Sequence, residues 1–302
     1  MGDSPAPADG LRFNQIPRET IMSTTASATS SIEEGESGNW IETLARVGYA
    51  AKGVVYVIIG AIAIELARGD GGDAVGPSGA VESMRSQPFG QFLIGAIAAG
   101  LLCYAVWRFV QAAKDPENKG SDTKGIVTRI GYVCSGIAYT GVAIEAIRSL
   151  VSARSSGGGG EDGVSHWTGK LMGLPFGKWL VVAAGLAMLG AGLYQLYRGY
   201  SAEFKKLLKS EEMSETELTW GTRLGRVGFA ARGVVYLVIG SFLAIAGWQS
   251  NPQQAKGIGG ALEYLTQASY GPWLLGTIAV GLIAYGIFST AVLARYRRIL
   301  AN

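Results

Sequence analysis

A single histidine, His166, and two cysteines, Cys103 and Cys134, are scarce material for catalysis or metal binding in a chain of 302 residues. Two thiols without a neighbouring imidazole cannot complete a structural zinc site, and they are too few to staple a secreted domain. Both fall inside apolar runs and read as small buried hydrophobes. His166 stands beside Trp167 with nothing nearby to form a nucleophile–base pair or a metal set. No glycine-rich phosphate loop lies between a strand and a helix, because no segment reads as a strand. The expectation is a protein that is not an enzyme, with no catalytic residue, no cofactor and no metal.

Charge is equally thin. Only 16% of residues are charged and the net charge of +3 is spread over the whole chain, so no basic domain exists for nucleic acid. What the chain has instead is apolar mass: 48% hydrophobic residues and 45 glycines, a mixture that suits close helix packing in lipid. The exception is the polar stretch 1–39, rich in Ser, Thr, Ala and Pro. It lacks the apolar run of a secretory signal and reads as a disordered cytoplasmic tail.

Six apolar stretches follow, at approximately 45–67, 90–112, 127–150, 178–198, 225–248 and 272–295. Each has the roughly 20 residues needed to cross about 30 Å of hydrocarbon at about 1.5 Å per residue. A soluble bundle would carry a charged face along each helix, and these do not.

The stretches repeat in pairs. Arg46-Val47-Gly48-Tyr49 continues to Gly53 and Tyr56. It returns as Arg129-Ile130-Gly131-Tyr132 with Gly136 and Tyr139, then as Arg226-Val227-Gly228-Phe229 with Gly233 and Tyr236. The second helix of each pair recurs without gaps: Gly90, Phe92, Leu93 and Trp107 match Gly177, Trp179, Leu180 and Tyr194, then Gly271, Trp273, Leu274 and Phe288. Units one and three agree most closely, Gly95, Gly100 and Tyr104 matching Gly276, Gly281 and Tyr285, where the middle unit has Val182, Ala187 and Ala191. The expected fold is an all-α integral membrane protein of six transmembrane helices, arranged as three parallel, pseudo-equivalent two-helix hairpins. The repeats take residues 40–118, 119–210 and 211–302.

The thrice-repeated first helix, followed by a second helix of the Gly-Pro-Trp-Leu-Leu-Gly kind seen at 271–276, resembles a bacterial membrane family, domain of unknown function 1206. The resemblance covers about residues 42–298 and implies a six-helix bacterial membrane protein. It carries over no activity, ligand or catalytic residue.

Orientation follows from the flanking cations. Of the 26 Lys and Arg residues, 17 fall on the side of the two termini and of the connections after the second and fourth helices, and seven on the other. Both termini are therefore expected in the cytoplasm, with the protein in the bacterial inner (plasma) membrane. Three hairpins that all enter from one side are parallel repeats about an axis along the membrane normal, not an inverted pair.

At 100° per residue, Arg46, Tyr49, Gly53, Tyr56 and Gly60 share an arc of about 80°. Arg129, Tyr132, Gly136 and Tyr139 form the same stripe in the second unit, and Arg226, Phe229, Gly233 and Tyr236 in the third. One reading makes these stripes packing seams, with small residues admitting a neighbouring backbone and tyrosines filling the groove beside it. The other makes them the lining of a path along a pseudo-threefold axis. Lys52 and Arg232 sit six residues deeper than the repeated arginine, with Ser135 in their place in the middle unit. A cation there must snorkel or find a partner. It either reaches anionic lipid headgroups or joins Arg46, Arg129 and Arg226 in a vestibule for an anion. Glu145 is placed to pair with Arg148, while Glu82 and Glu263 fall on short amphipathic stretches before a second helix. The functional expectation is a membrane scaffold or accessory subunit that binds lipid or another membrane protein. Its rival is a small-solute or ion channel or transporter.

Overall fold

The structure, a computed structural model, describes residues 18–69, 75–116, 118, 120–151 and 161–297. The chain falls into two units, residues 1–41 and 42–302. In the first, the described residues are helical and form the leading part of α1 (Arg18–Arg68). Residues 18–39, within the stretch expected as a disordered tail, are helical here although Ser and Thr dominate their composition. Residues 1–17 and the four-glycine run at 157–160 lie outside the described residues.

The second unit is the membrane body. Its elements are the remainder of α1, α2 (Pro77–Glu82), α3 (Gly90–Lys114), α4 (Thr123–Val151), α5 (Glu161–Met172), α6 (Gly177–Ser201), α7 (Glu215–Gln249), α8 (Ile258–Thr266) and α9 (Gly271–Ile287). The last continues through a π-helical stretch, Phe288–Leu293, to Tyr296. Among the described residues no strand interrupts this order. Among the described residues six helices are long and apolar enough to cross a membrane: α1 from Trp40, α3, α4, α6, α7 and α9 with its extension. This is a multi-pass membrane protein. Exposed aromatics gather near the helix ends, with Trp220 near one end of α7 and Trp248 near the other. Their 28-residue separation corresponds to roughly 42 Å of helix, close to the roughly 40–45 Å of a bilayer with its headgroup regions.

Glycine sets how the six helices meet. Gly48 of α1 lies against the backbone of Tyr104 in α3, where an added Cβ would come to 2.6 Å of Cα, and Gly100 of α3 takes the methyl of Ala51. The third hairpin repeats this: Gly228 of α7 lies against Tyr285 of α9 at 2.6 Å, and Gly281 takes Ala231. The motif glycines of the opposite helix edge join neighbouring repeats. Gly53 meets Gly286 and Thr290 of the last helix, Gly136 meets the Phe109 ring of α3, and Gly233 meets Leu196 and the Gly192 carbonyl of α6. The spanning helices therefore follow one another as α4, α3, α1, α9, α7, α6.

The ring does not close. α4 and α6, the two helices of the middle hairpin, run without a packed seam between them. A Cβ at Gly131, the counterpart of Gly48 and Gly228, would meet nothing within 4 Å. Only 17% and 22% of the apolar stretches of α4 and α6 are buried, against 44–61% in the other four helices. The cause lies in the sequence. Where hairpins one and three press Gly100 on Ala51 and Gly281 on Ala231, the aligned pair in the middle is Ala187 and Cys134. Each partner is larger by one heavy atom, and an interface that admits no Cβ cannot form with one.

Three substitutions separate closed seams from the open one. Gly48→Ala and Gly228→Ala each force a Cβ into backbone and should cost about 1–3 kcal/mol, read as a lowered thermal midpoint in detergent. Gly131→Ala should leave the midpoint unchanged.

Candidate functional site

A cavity of about 270 Å³ occupies the place of the missing seam. It lies toward the basic end of the bundle, the end that carries the α3–α4 and α6–α7 connections and the final residues. Its walls come from all six spanning helices and from Phe204 and Leu207 just after α6. Two departures of the middle repeat make room for it. Ser135 stands where the other hairpins have Lys52 and Arg232, and Ala191 where they have Tyr104 and Tyr285. Ser135 and Ala191 both line the cavity.

Five cations line it: Lys52, Arg108, Arg198, Arg232 and Arg297. Among the described residues of the lining there is no Asp or Glu. Lys52 is 2% exposed and Arg232 6%, so neither snorkels to a headgroup region. Their charge is met by tyrosines. The Lys52 ammonium donates to the Tyr104 hydroxyl at 2.9 Å and lies 4.7 Å from the centroid of that ring, 5.5 Å from Tyr139 and 5.4 Å from Tyr285. Arg232 donates to the Tyr236 hydroxyl one turn along α7 and lies 4.2 Å from the Tyr285 centroid and 5.2 Å from Tyr56. Its Nε is buried with no hydrogen-bond partner.

Arg108 donates Nε to Tyr104 at 2.8 Å and a terminal nitrogen to the Gln111 side-chain oxygen at 3.0 Å. The Tyr104 hydroxyl thus accepts from two cations on two helices. Arg198 lies 4.5 Å from the Phe229 centroid and Arg297 4.9 Å from Tyr49. Ring faces attract a cation, and a desolvated contact is worth about 2 kcal/mol. They do not neutralise it, so the cluster keeps a surplus of positive charge facing the cavity.

The repeated tyrosines close the inner end. Tyr139 and Tyr236 are the deepest lining residues on their helices, and Tyr56 packs edge-on to Tyr285 at 5.0 Å. Tyr104 stands edge-on to Tyr139 at 4.8 Å. No lining residue comes from the half of the helices beyond this layer. As lined by the described residues, the cavity is a chamber that ends at this tyrosine layer.

The sequence-derived candidates divide accordingly. Tyr49, Tyr132, Tyr139, Phe229, Tyr236, Lys52 and Arg232 line the chamber, and buried Tyr56 backs it. Gly53, Gly136 and Gly233 are inter-repeat seams. The repeated arginine is not part of a vestibule. Arg129 donates to the carbonyls of Ala112 and Ala113 at the end of α3, at 2.7 and 3.3 Å, and Arg46 to those of Ala294 and Arg295 at the end of the last helix. Each guanidinium thereby caps the last turn of a neighbouring repeat, where carbonyls lack helical partners. The inserted residue of the π-helical stretch explains why the acceptors in the third repeat lie one position further on than in the first. Arg226 is exposed.

Glu145 pairs with Arg148 at 2.8 Å as its spacing implied, and Glu82 with Arg85 at 3.3 Å. His166 is exposed. Sequence reading missed Arg108, Arg198 and Arg297, treating them as flanking charges. Two carried a signal: Arg108 follows the buried Tyr104 by one helical turn, and Arg198 likewise follows Tyr194, which is half-exposed but lines the chamber.

A threefold-repeated hairpin around one cationic chamber defines the class, a six-helix membrane protein built by internal repetition. The chain belongs to the family described as Domain of Unknown Function (DUF1206), whose pattern matches three times, at residues 47–115, 130–202 and 227–297. It is 32% identical over 254 residues to an uncharacterized protein of Bacillus subtilis (strain 168), YxxB, across 84% of this chain and 90% of that protein. No solved structure matches.

Lys52→Met removes a buried cation without creating an unpaired acceptor, since Arg108 still holds Tyr104. It should raise the thermal midpoint at low ionic strength, by about 1–2 kcal/mol of stability.

Proposed function

We propose that the protein binds an anionic ligand in the chamber at the basic end of its bundle, as a non-enzymatic receptor or carrier for that ligand. The observation that supports this most is the burial of Lys52 and Arg232 beside Arg108 and Arg198, with no carboxylate among the described residues of the lining. Intramembrane cations ordinarily pair with acids or serve a site, and here a visiting anion is the pairing the chamber leaves open. Guanidinium forks favour oxyanions such as phosphate and carboxylate, which accept two parallel hydrogen bonds. The scaffold alternative explains the glycine seams equally well, but it gives these cations nothing to do.

We further place the protein in the bacterial plasma membrane with both termini, and therefore the chamber, on the cytoplasmic side. The Lys and Arg surplus at that end supports the orientation. A reporter fused after Asn302 should read cytoplasmic and one inserted at 157–160 external. The opposite pattern reverses the assignment.

Inorganic phosphate and pyrophosphate, titrated into purified protein in a gluconate background, should raise the thermal midpoint in saturable fashion. Linkage gives about 2.7 kcal/mol at 100 times Kd. Arg232→Gln should abolish the response. Equal responses in the wild type and Arg232→Gln, or none in either, would remove the proposal.

A further inference from the structure

Two of the three hairpins close with the same glycine contacts, and the middle one does not. The opening lies between the first and last members of the helix series, so it faces out of the ring, toward the bilayer. It leads to the cations rather than to packed side chains, since Ser135 and Ala191 line the chamber on its two sides. Arg232, more than nine-tenths buried, lines the same chamber with an Nε that has no partner.

A soluble anion needs an opening to water and no gap between helices. A ligand with an anionic head and acyl chains needs both the charge and the gap. We propose that the occupant is an anionic phospholipid, taken sideways from the leaflet at the basic end, its phosphate at Lys52, Arg108, Arg198 and Arg232 and its chains between α4 and α6. This rests on the anion-binding reading and specifies the source of the anion. Charge complementarity selects an anionic over a zwitterionic lipid, because the described lining carries cations that repel a choline or ethanolamine and no carboxylate that offsets them. The gap is maintained by Cys134 and Ala187, neither of which lines the chamber.

The test is native mass spectrometry of the full chain released from nanodiscs that hold phosphatidylglycerol and phosphatidylcholine in equal amounts. The wild type should retain phosphatidylglycerol at least about tenfold over phosphatidylcholine, a difference of about 1.4 kcal/mol, and inorganic phosphate should displace it. Lys52→Gln with Arg232→Gln should lose the preference. Cys134→Ala with Ala187→Gly restores the composition of the closed seams. It should lose the lipid while keeping the thermal response to inorganic phosphate, which also reports that the variant is folded.

A wild type that responds to phosphate yet shows no preference between the lipids overturns the lipid inference and leaves the anion reading standing. So does a folded seam variant that retains phosphatidylglycerol as the wild type does. If neither phosphate nor phosphatidylglycerol binds, both fall. Should the seam variant fail to fold, the wild-type preference and its loss in the cation variant decide the matter alone.

Discussion

Backbone-to-backbone approach at glycine is the constraint on which the rest of this molecule depends. In lipid no hydrophobic force drives helices together, so association depends on how many atoms come into van der Waals contact and how closely. Gly48, Gly100, Gly228 and Gly281 permit an approach that any Cβ would block. That approach brings Tyr104 and Tyr285 to the centre, where their rings receive the cations of α1 and α7. Without the seams, Lys52 and Arg232 would keep only the tyrosine one turn along their own helix, Tyr56 and Tyr236. The glycine contacts and the buried charges form one arrangement, the first holding the second in place.

The site arises where repetition fails. A strictly threefold protein would set three cations around the axis and fill the centre with three tyrosines of the Tyr104 kind. Replacing one cation by Ser135 and one tyrosine by Ala191 empties a third of that centre. The bulk of Cys134 and Ala187 then keeps the surrounding helices from collapsing into it. Hairpins one and three supply chemistry and rigidity, and hairpin two supplies the space. The inter-repeat seams at Gly53, Gly136 and Gly233, with the guanidinium caps of Arg46 and Arg129, hold that unequal ring together.

Much of the fold could be read from the chain because its signals are local and occur three times. Span length, the hairpin repeat and the stripe follow from periodicity alone, and in the structure the stripe divides, its glycines at seams and most of its aromatics at the wall of a chamber. The middle repeat's departures at Val182, Ala187 and Ala191 were visible as letters, but their consequence was not. Whether a lost glycine opens a seam depends on what it faces, and Cys134 lies 53 positions away from Ala187. The repeated arginine misled for a related reason. Its acceptors are carbonyls of another repeat, and backbone oxygens leave no mark in a sequence. Arg297 reaches the chamber from beyond a π-helical stretch whose added residue shifts the register, so helical spacing could not have placed it.

The cost of this arrangement bears on what the chamber is for. Two like charges about 8 Å apart repel by about 2 kcal/mol at an effective dielectric of about 20. Lys52, Arg108, Arg198 and Arg232, with no carboxylate among the described residues of the lining, multiply that term, and tyrosine faces offset only part of it. A packing module has no need of such a cluster, because methionine or leucine at position 52 or 232 would fill the same volume without desolvating a charge. An anion that enters the chamber reverses the sign of the balance, turning mutual repulsion into attraction to a shared partner. The tyrosine layer at the inner end then matters as much as the cations. It bounds the chamber at mid-depth, so an anion bound as proposed would sit between the cations and that layer.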